Sequence, residues 1–559
     1  MKSNREKNVE QQVFIFILSL ATPFALYLNR HLDDNRLTSW NWVFDFAAPF
    51  RIGPMLIMAL IFAWLLSLAS LYERSKPLVL FMAAFAMASA FWSGPEVIVD
   101  ASRYFTQAKQ LSVYGIGYFA EQWGREIFAW TDLPLVPFLY GLIFKFLGEQ
   151  RIFIQILNTF FYAATVVLTY QLGKILWDED MGFRSGLLLL GFPYLYTQVP
   201  LMLTDVPTMF FFMLAVVASV VALKKGGIGR IMLASVSLFL VFYVKYSTWL
   251  LLTIIPVIYA YFIWLNPTQV LRRGVVLALL TLIMTGAFFL YFKEILVPQL
   301  GFLLEYQKPG LNSWGESYIS TFLFQGHPFI TAAALFALFA AARKMDIRFI
   351  IVSFLIFLFL FLQVKRIRYT VPVFPMFALM AGYGIGEIQN NKLIKQIIFS
   401  VVGTSFVLAY IGFLPFLKTL GVQNLQAAGH YVNVIPGTNV EVASLAGDNA
   451  AVNPATPVAV LDIYVQKTLV YEQEPIKAEV LKRVKAAPLR FTWELILPGY
   501  YAPNPATKNI DALVIISDDP ERSLPQDLEK KRALYPFQMT FDQSSNIFQH
   551  QTFITVYHK

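Results

Sequence analysis

The sequence contains no cysteine. Disulfides, thiolate metal sites, thiol nucleophiles and cysteine redox chemistry are excluded together. Charge is also scarce: Asp, Glu, Lys and Arg make up 14% of the 559 residues, where a soluble domain carries about 25%. What fills the space is apolar. The chain is 57% hydrophobic, with 52 Phe, 27 Tyr and 11 Trp, and a mean hydropathy of +0.57. A water-soluble core has no use for so much aromatic surface, whereas lipid solvates it directly. The expected fold class is a polytopic α-helical membrane protein. The formal net charge of +9 points to nucleic acid only when it lies on one soluble face. Here the basic residues flank apolar runs, so no nucleic-acid partner is expected.

A helix needs about 20 apolar residues to cross a bilayer. Thirteen runs approach or reach that length, near 13–28, 50–72, 78–92, 152–176, 185–203, 206–223, 231–246, 248–265, 274–292, 328–342, 349–364, 369–388 and 396–415. A fourteenth, Leu135–Leu147, is short and carries Lys145, which suits a helix lying in the membrane interface. Counting it as a span would reverse everything after it, and the basic residues decide against this. Without it, the inside loops hold Lys2, Arg5, Lys7, Arg74, Lys76, Lys174, Arg184, Lys224, Lys225, Arg230, Arg272, Arg273, Arg343, Lys344, Arg348, Lys392 and Lys395. That density is roughly three times the density of Lys and Arg in the outside loops, as the positive-inside rule demands.

The expected topology is multi-pass in the cytoplasmic (inner) membrane, with the N-terminus cytoplasmic and the first run a retained anchor. Two outside loops are long, 93–151 and 293–327, and long loops confined to one face place the chemistry there. From residue 421 onward polar residues return and no run reaches membrane length. Residues 421–559 read as a small extracytoplasmic α/β domain. Strands are expected at Pro457–Val465, Asp511–Ile516 and Gln551–Tyr557, and helices at Ile476–Ala486 and Leu524–Leu534.

An ionisable group within a span costs about 2.5–3.5 kcal/mol on insertion scales, so each one needs a partner or a purpose. Four features stand out, all toward the outer face. Asp100 follows the third span in Pro95-Glu-Val-Ile-Val-Asp-Ala-Ser-Arg-Tyr104; taken alone it also reads as a solvated acid or a helix cap. Asp205, in Leu203-Thr-Asp-Val-Pro-Thr208, also reads as the start of a helix with Pro in its first turn. Lys245, in Tyr243-Val-Lys-Tyr-Ser247, also reads as a snorkelling lysine. Lys365, Arg366 and Arg368 crowd three cations onto the wrong side of the positive-inside pattern, and a phosphate is their natural counter-ion. Carboxylates and cations gathered on one face suit chemistry on a phosphate-bearing lipid, with cations holding the leaving phosphate and a carboxylate taking a hydroxyl proton.

Four stretches carry a family resemblance over roughly 78–415. They are Asp100-Ala-Ser-Arg-Tyr104, Leu133-Pro-Leu-Val-Pro-Phe-Leu-Tyr140 with Phe146-Leu-Gly148, Thr204-Asp-Val-Pro-Thr-Met-Phe-Phe211, and Arg368-Tyr-Thr-Val-Pro-Val-Phe-Pro375. In order, spacing and side they resemble the GT-C glycosyltransferases that use polyprenyl-phosphate sugars, in the branch of the protein mannosyltransferases and the lipid A aminoarabinose transferase. Two departures are visible. Ala101 stands where a second carboxylate often follows the first, so that carboxylate is either absent or supplied by Glu96, and the usual His-Pro-Pro opening is reduced to Asp132-Leu-Pro134. Residues 1–77 add two helices ahead of a 78–420 catalytic domain, with no functional reading of their own.

The resemblance implies an inverting transfer of a sugar from a polyprenyl-phosphate donor to a hydroxyl of a lipid, glycan or protein acceptor. It implies Asp100 as base or acceptor-positioning carboxylate, Asp205 as the second active-site acid, and Lys245, Lys365, Arg366 and Arg368 as donor-phosphate ligands. Glu96, Arg103, Tyr104, His327 and Tyr369 are candidate substrate contacts. No cofactor is expected. Asp100 and Asp205 could share a divalent ion, but no third hard ligand is evident, and five His in all make no zinc site. Two other readings remain open: a transferase using a diphosphate-linked lipid donor, and a membrane transporter, which would place its charges near the midplane within repeated halves.

Overall fold

A computed structural model of the chain describes residues 4–36, 38–46, 49–68, 75–308, 315–362, 366–447, 450, 452–476, 478–484, 489–507, 509–545, 547 and 550–559. Each of the thirteen expected segments overlaps helix among the described residues, with 69–72 of the second and 363–364 of the eleventh lying outside them. Six of these helices are long and apolar enough to cross a membrane: Val9–Leu32, Arg151–Leu176, Asp205–Lys225, Thr248–Leu265, Pro267–Tyr291 and Asn391–Leu417. Tyr318–Phe324 and Pro328–Lys344 form a further pair, bent by 117° at their junction. Other apolar helices are shorter, among them Lys76–Ser89, Ile228–Phe242 and Phe349–Leu360. The chain is thus a multi-pass membrane protein. Asp205–Lys225 is the most enclosed of the six and Pro267–Tyr291 the least, so the first is central and the second peripheral.

Prolines and glycines break several segments. The 185–203 run divides at Gly191 into Glu179–Leu189 and Pro193–Gln198, since Pro opens a helix but cannot continue one. Gly173 and Gly182 bring Arg151–Leu176 against Glu179–Leu189: a Cβ on Gly182 would lie 2.3 Å from the Tyr170 carbonyl oxygen. Such small residues let helix backbones touch where no hydrophobic force drives them together.

One end of the bundle holds several of the basic residues assigned to inside loops, while Lys2 and Arg74 lie outside the described residues. Lys76 pairs with Asp180 at 2.9 Å. Lys224 Nζ donates to the Ile175 carbonyl at 3.0 Å and Arg348 Nη1 to the Leu176 carbonyl at 2.9 Å. Cations therefore cover helix C-terminal carbonyls there. The other end carries the loop helices Ile98–Tyr114, Ile116–Gln122 and Leu135–Leu147. Leu135–Leu147 has the bounds read from the sequence. It buries Val136, Tyr140 and Phe144 while leaving Phe146 and Leu147 exposed.

The C-terminal residues build one five-stranded sheet: β1 Asn439–Leu445, β2 Thr468–Val470, β3 Ala512–Ser517, β4 Phe537–Phe541 and β5 Phe553–His558, in the order β2-β1-β3-β5-β4. β1 lies parallel to β2 and β3, and β5 lies antiparallel to β3 and β4. Strands appear where Asp511–Ile516 and Gln551–Tyr557 were expected, and helices Ala478–Val484 and Gln526–Arg532 within their expected ranges. Pro457–Val465 is a correction. It holds the buried helix Thr456–Asp462, opened by Pro457 and packed on Ile98–Tyr114. Burial on all sides erased the helical period there, so its Val/Ala run read as strand.

Candidate active site

Asp205 opens the central helix Asp205–Lys225, and the turn before it is tied down from three sides. Tyr140 donates its hydroxyl to the Leu203 carbonyl at 2.7 Å, Asn158 Nδ2 donates to the Leu201 carbonyl at 2.8 Å, and Glu96 Oε2 accepts from the Met202 N–H at 2.9 Å. Asp205 does not cap its own helix. Its Oδ1 accepts from Lys245 Nζ at 2.7 Å, and its Oδ2 accepts from Arg368 Nη2 at 3.0 Å and Nε at 3.1 Å.

Lys245 sits in the turn between Ile228–Phe242 and Thr248–Leu251, where the segment Thr248–Leu265 begins. Thr248 Oγ1 takes up the freed Val241 carbonyl at 2.7 Å and Trp249 Nε1 the Phe242 carbonyl at 2.8 Å, which satisfies the break. Lys245 also lies over the Tyr369 ring, 5.1 Å from its centroid. Arg368 stands in the 3-10 turn Ile367–Val373, anchored by the Ile367 N–H donating to Glu316 Oε2 at 2.8 Å. Pro372 and Pro375 hold back the following helix, Phe374–Ile385.

Asp100 lies in the first turn of Ile98–Tyr114. One carboxylate oxygen accepts from Arg103 Nη2 at 2.9 Å and the other from Arg368 Nη1. Arg103 Nη2 reaches on to Asp132 Oδ1 at 3.4 Å, while Gln107 Nε2 donates to Asp132 Oδ2 at 3.0 Å. Three carboxylates and three cations thus alternate in one network: Asp132, Arg103, Asp100, Arg368, Asp205, Lys245. Burial opposes ionisation of Asp100, but Arg368 and Arg103 outweigh it and hold its carboxyl well below the usual range. At Asp132 burial wins over Arg103 and pushes the carboxyl up. Accessibility sorts the members. Asp100 and Lys245 each keep 19% of their side-chain surface open, against 2% for Asp205. Asp100 and Lys245 can meet a substrate, and Asp205 backs them.

The remaining candidates divide. Arg103 and Tyr104 join the network's edge, Tyr104 with its hydroxyl 3.5 Å from Thr204 Oγ1. Arg366 lies near enough to favour ionised Asp100. Lys365 lies outside the described residues. Glu96 is buried in an ion pair with Arg151 Nε at 2.7 Å. His327 is buried and accepts the Phe329 N–H on Nδ1 at 3.1 Å, capping Pro328–Lys344. Sequence reasoning missed the part played by Asp132, although its place at the altered loop motif marked it. Trp130 was also missed; it covers Arg103 at 4.9 Å from a backbone with φ +44°, strained for a bulky residue. Among the described residues no three His, Asp or Glu side chains converge as metal ligands; Asp100 and Asp205 share an arginine instead.

Residues 132–292 match the family model of dolichyl-phosphate-mannose-protein mannosyltransferases. That segment carries Asp132, Asp205 and Lys245 and stops short of Asp100 and Arg368 on either side. Among solved structures, ArnT from Cupriavidus metallidurans bound to undecaprenyl phosphate shares 11% identity at a TM-score of 0.55, covering 86% of this chain and 97% of that one. The archaeal oligosaccharyltransferase AglB from Archaeoglobus fulgidus, in complex with an inhibitory peptide and a dolichol-phosphate, shares 9% at a TM-score of 0.45, covering 80% and 70%. No curated protein matches the sequence. The fold is that of the GT-C glycosyltransferases. Residues 132–292, which carry the mannosyltransferase-family match, lie inside that fold.

Proposed function

We propose that this enzyme works at the outer face of the cytoplasmic membrane, moving one sugar from a polyprenyl-phosphate carrier to a hydroxyl of a lipid, glycan or protein acceptor, with inversion. The observation that carries this is Arg368, held between Asp100 and Asp205 beside the partly open Lys245. The donor phosphate brings negative charge into a network whose acids and cations already balance. Lys245 and Arg368 turn to it, and Arg368 leaves Asp100. Freed of that partner, Asp100 gains basicity. Support comes from the undecaprenyl phosphate held by the ArnT structure that shares the fold.

In the reaction, Asp100 takes the acceptor hydroxyl proton. The hydroxyl oxygen bonds to the anomeric carbon as the carbon–oxygen bond to phosphate breaks. The departing phosphate keeps the electron pair, its charge held by Lys245 and Arg368. A positioned base contributes about 10²–10⁴-fold, and a preorganised charge donor typically 10²–10³-fold. Asp205 holds both cations in place.

The test is Asp100→Asn, assayed for sugar transfer from a polyprenyl-phosphate donor in detergent or vesicles. Normal folding with transfer lost is expected, and full transfer would overturn the mechanism. Feeding diphosphate-linked donors to the parent enzyme distinguishes the oligosaccharide-transferase reading, since no turnover is expected with them.

A further inference from the structure

The helix that carries Asp100 is gripped at two points, just before its start and three turns along it, by one short segment of the C-terminal domain. Just ahead of Ile98–Tyr114, the Glu96 N–H donates to the Tyr464 hydroxyl at 2.8 Å, and Arg151 lies 5.4 Å from the Tyr464 ring centroid. Three turns into the same helix, Lys109 Nζ bonds Asp462 Oδ2 at 2.7 Å. The Asp462 side chain is fully enclosed, and the same oxygen accepts the Tyr501 hydroxyl at 2.7 Å. Tyr464 and Asp462 both belong to the connection between β1 and β2, which contains the helix Thr456–Asp462. Seven residues do not make a stable helix alone; the sheet behind and the loop helix in front hold this one.

From these contacts we infer that Asp462 is a positioning residue for sugar transfer: through Lys109 it sets where the helix bearing Asp100 lies, and thereby ties the C-terminal domain to the catalytic step. This rests on the assignment of Asp100 above. A buried carboxylate and ammonium stripped of water need each other, so the domain and the helix move together. Displacing a reacting group by about 1 Å costs on the order of 10²-fold in rate.

Lys109 has a second acid, Glu149 Oε1, at 2.7 Å. The groups facing this site are Lys109 from the loop helix, Glu149 before Arg151–Leu176, and Asp462, Tyr500 and Tyr501 from the C-terminal domain. Burial pushes Glu149 up to about 7, and Lys109 offsets this only in part. A raised folded value means that stability gained below the ordinary Glu range is lost as pH climbs through about 7. Above that point two negative charges compete for one lysine, and the grip loosens.

The experiment uses the full-length protein in detergent, with undecaprenyl phosphate as the binding probe. Asp462→Asn is expected to lower kcat at least tenfold and to speed hydrogen exchange over residues 98–110, leaving exchange over 205–225 and affinity for undecaprenyl phosphate within about threefold of the parent, since Lys245 and Arg368 lie on other elements. Glu149→Gln is expected to flatten the fall in kcat between pH 6 and 8. Tyr501→Phe, which removes one hydrogen bond to Asp462, decides the matter should Asp462→Asn fail to fold; a smaller loss of kcat with faster exchange at 98–110 supports the inference. Parent-like kcat and exchange in whichever variant folds would overturn it. If Asp100→Asn proves fully active, the mechanism falls on its own, and exchange at 98–110 still reports whether Asp462 governs that helix.

Discussion

Arg368 donates to two carboxylates at once, through Nη1 to Asp100 and through Nη2 to Asp205. Only a planar fork with several N–H groups makes both contacts from one side chain, and an ammonium is a single point of charge. Arg368→Lys keeps the charge and loses the bridge. It is expected to fold, since one carboxylate keeps its partner, and to lose about 10²–10³-fold in kcat/KM, the usual effect of removing one charge-stabilising donor. Steady-state transfer assays in detergent check this. A loss under about fivefold would mean that the bridge has no part in transfer.

Lys245 makes the complementary case. Among the described residues its one ion pair is with Asp205 at 2.7 Å, while a fifth of its side chain stays open. Lys245→Met removes a charge-assisted contact worth about 1.5–3 kcal/mol, so the dissociation constant of undecaprenyl phosphate is expected to rise about 10- to 100-fold. Unchanged affinity, measured by calorimetry, would place the donor phosphate elsewhere.

These residues were legible because they break rules that the rest of the chain obeys. Asp205 and Lys245 are charges in apolar surroundings, and Arg366 and Arg368 are cations on the side where few are expected. The thirteen helical segments were legible for the same reason in reverse, since long apolar runs have one solution in lipid. The pairing was not legible. Nothing in the sequence says that Arg368 meets residues 268 and 163 positions away, or that Glu96 serves Arg151 and the Met202 backbone. The C-terminal sheet was only half legible. β3 is buried on both faces and reads as an apolar run, whereas β1 and the exposed edge strand β4 carry mixed patterns that local periodicity does not separate from loop.

The handover of Arg368 gives kcat/KM and kcat different acid limbs. The free enzyme governs the first and the donor complex the second. With Arg368 and Arg103 beside it, the Asp100 carboxyl sits well below the ordinary range, so kcat/KM should show no acid limb from Asp100 above about pH 4. Once the phosphate takes Arg368, the Asp100 carboxyl rises. kcat should therefore fall with acidification at a higher pH than kcat/KM does, and Asp100→Asn should abolish that limb in its residual rate. Two profiles with coincident acid limbs would rule out the handover.

Glu96 and Arg151 supply the test of what holds the site upright. The pair is nearly dry, with Glu96 fully enclosed, and Glu96 also fixes the Met202 N–H in the turn leading to Asp205. Removing one partner of a buried pair costs about 3–5 kcal/mol, because the other charge is left in the interior, whereas replacing both with apolar groups is often neutral. Arg151→Met is therefore expected to lower the thermal midpoint in detergent sharply, and Glu96→Leu combined with Arg151→Met to recover much of it. The double variant still lacks the bond to Met202, so its transfer rate should remain below the parent's even where its stability returns. That split between restored stability and unrestored rate separates the two tasks of Glu96. A double variant that regains both would show that the turn before Asp205 is held well enough by Tyr140 and Asn158 alone.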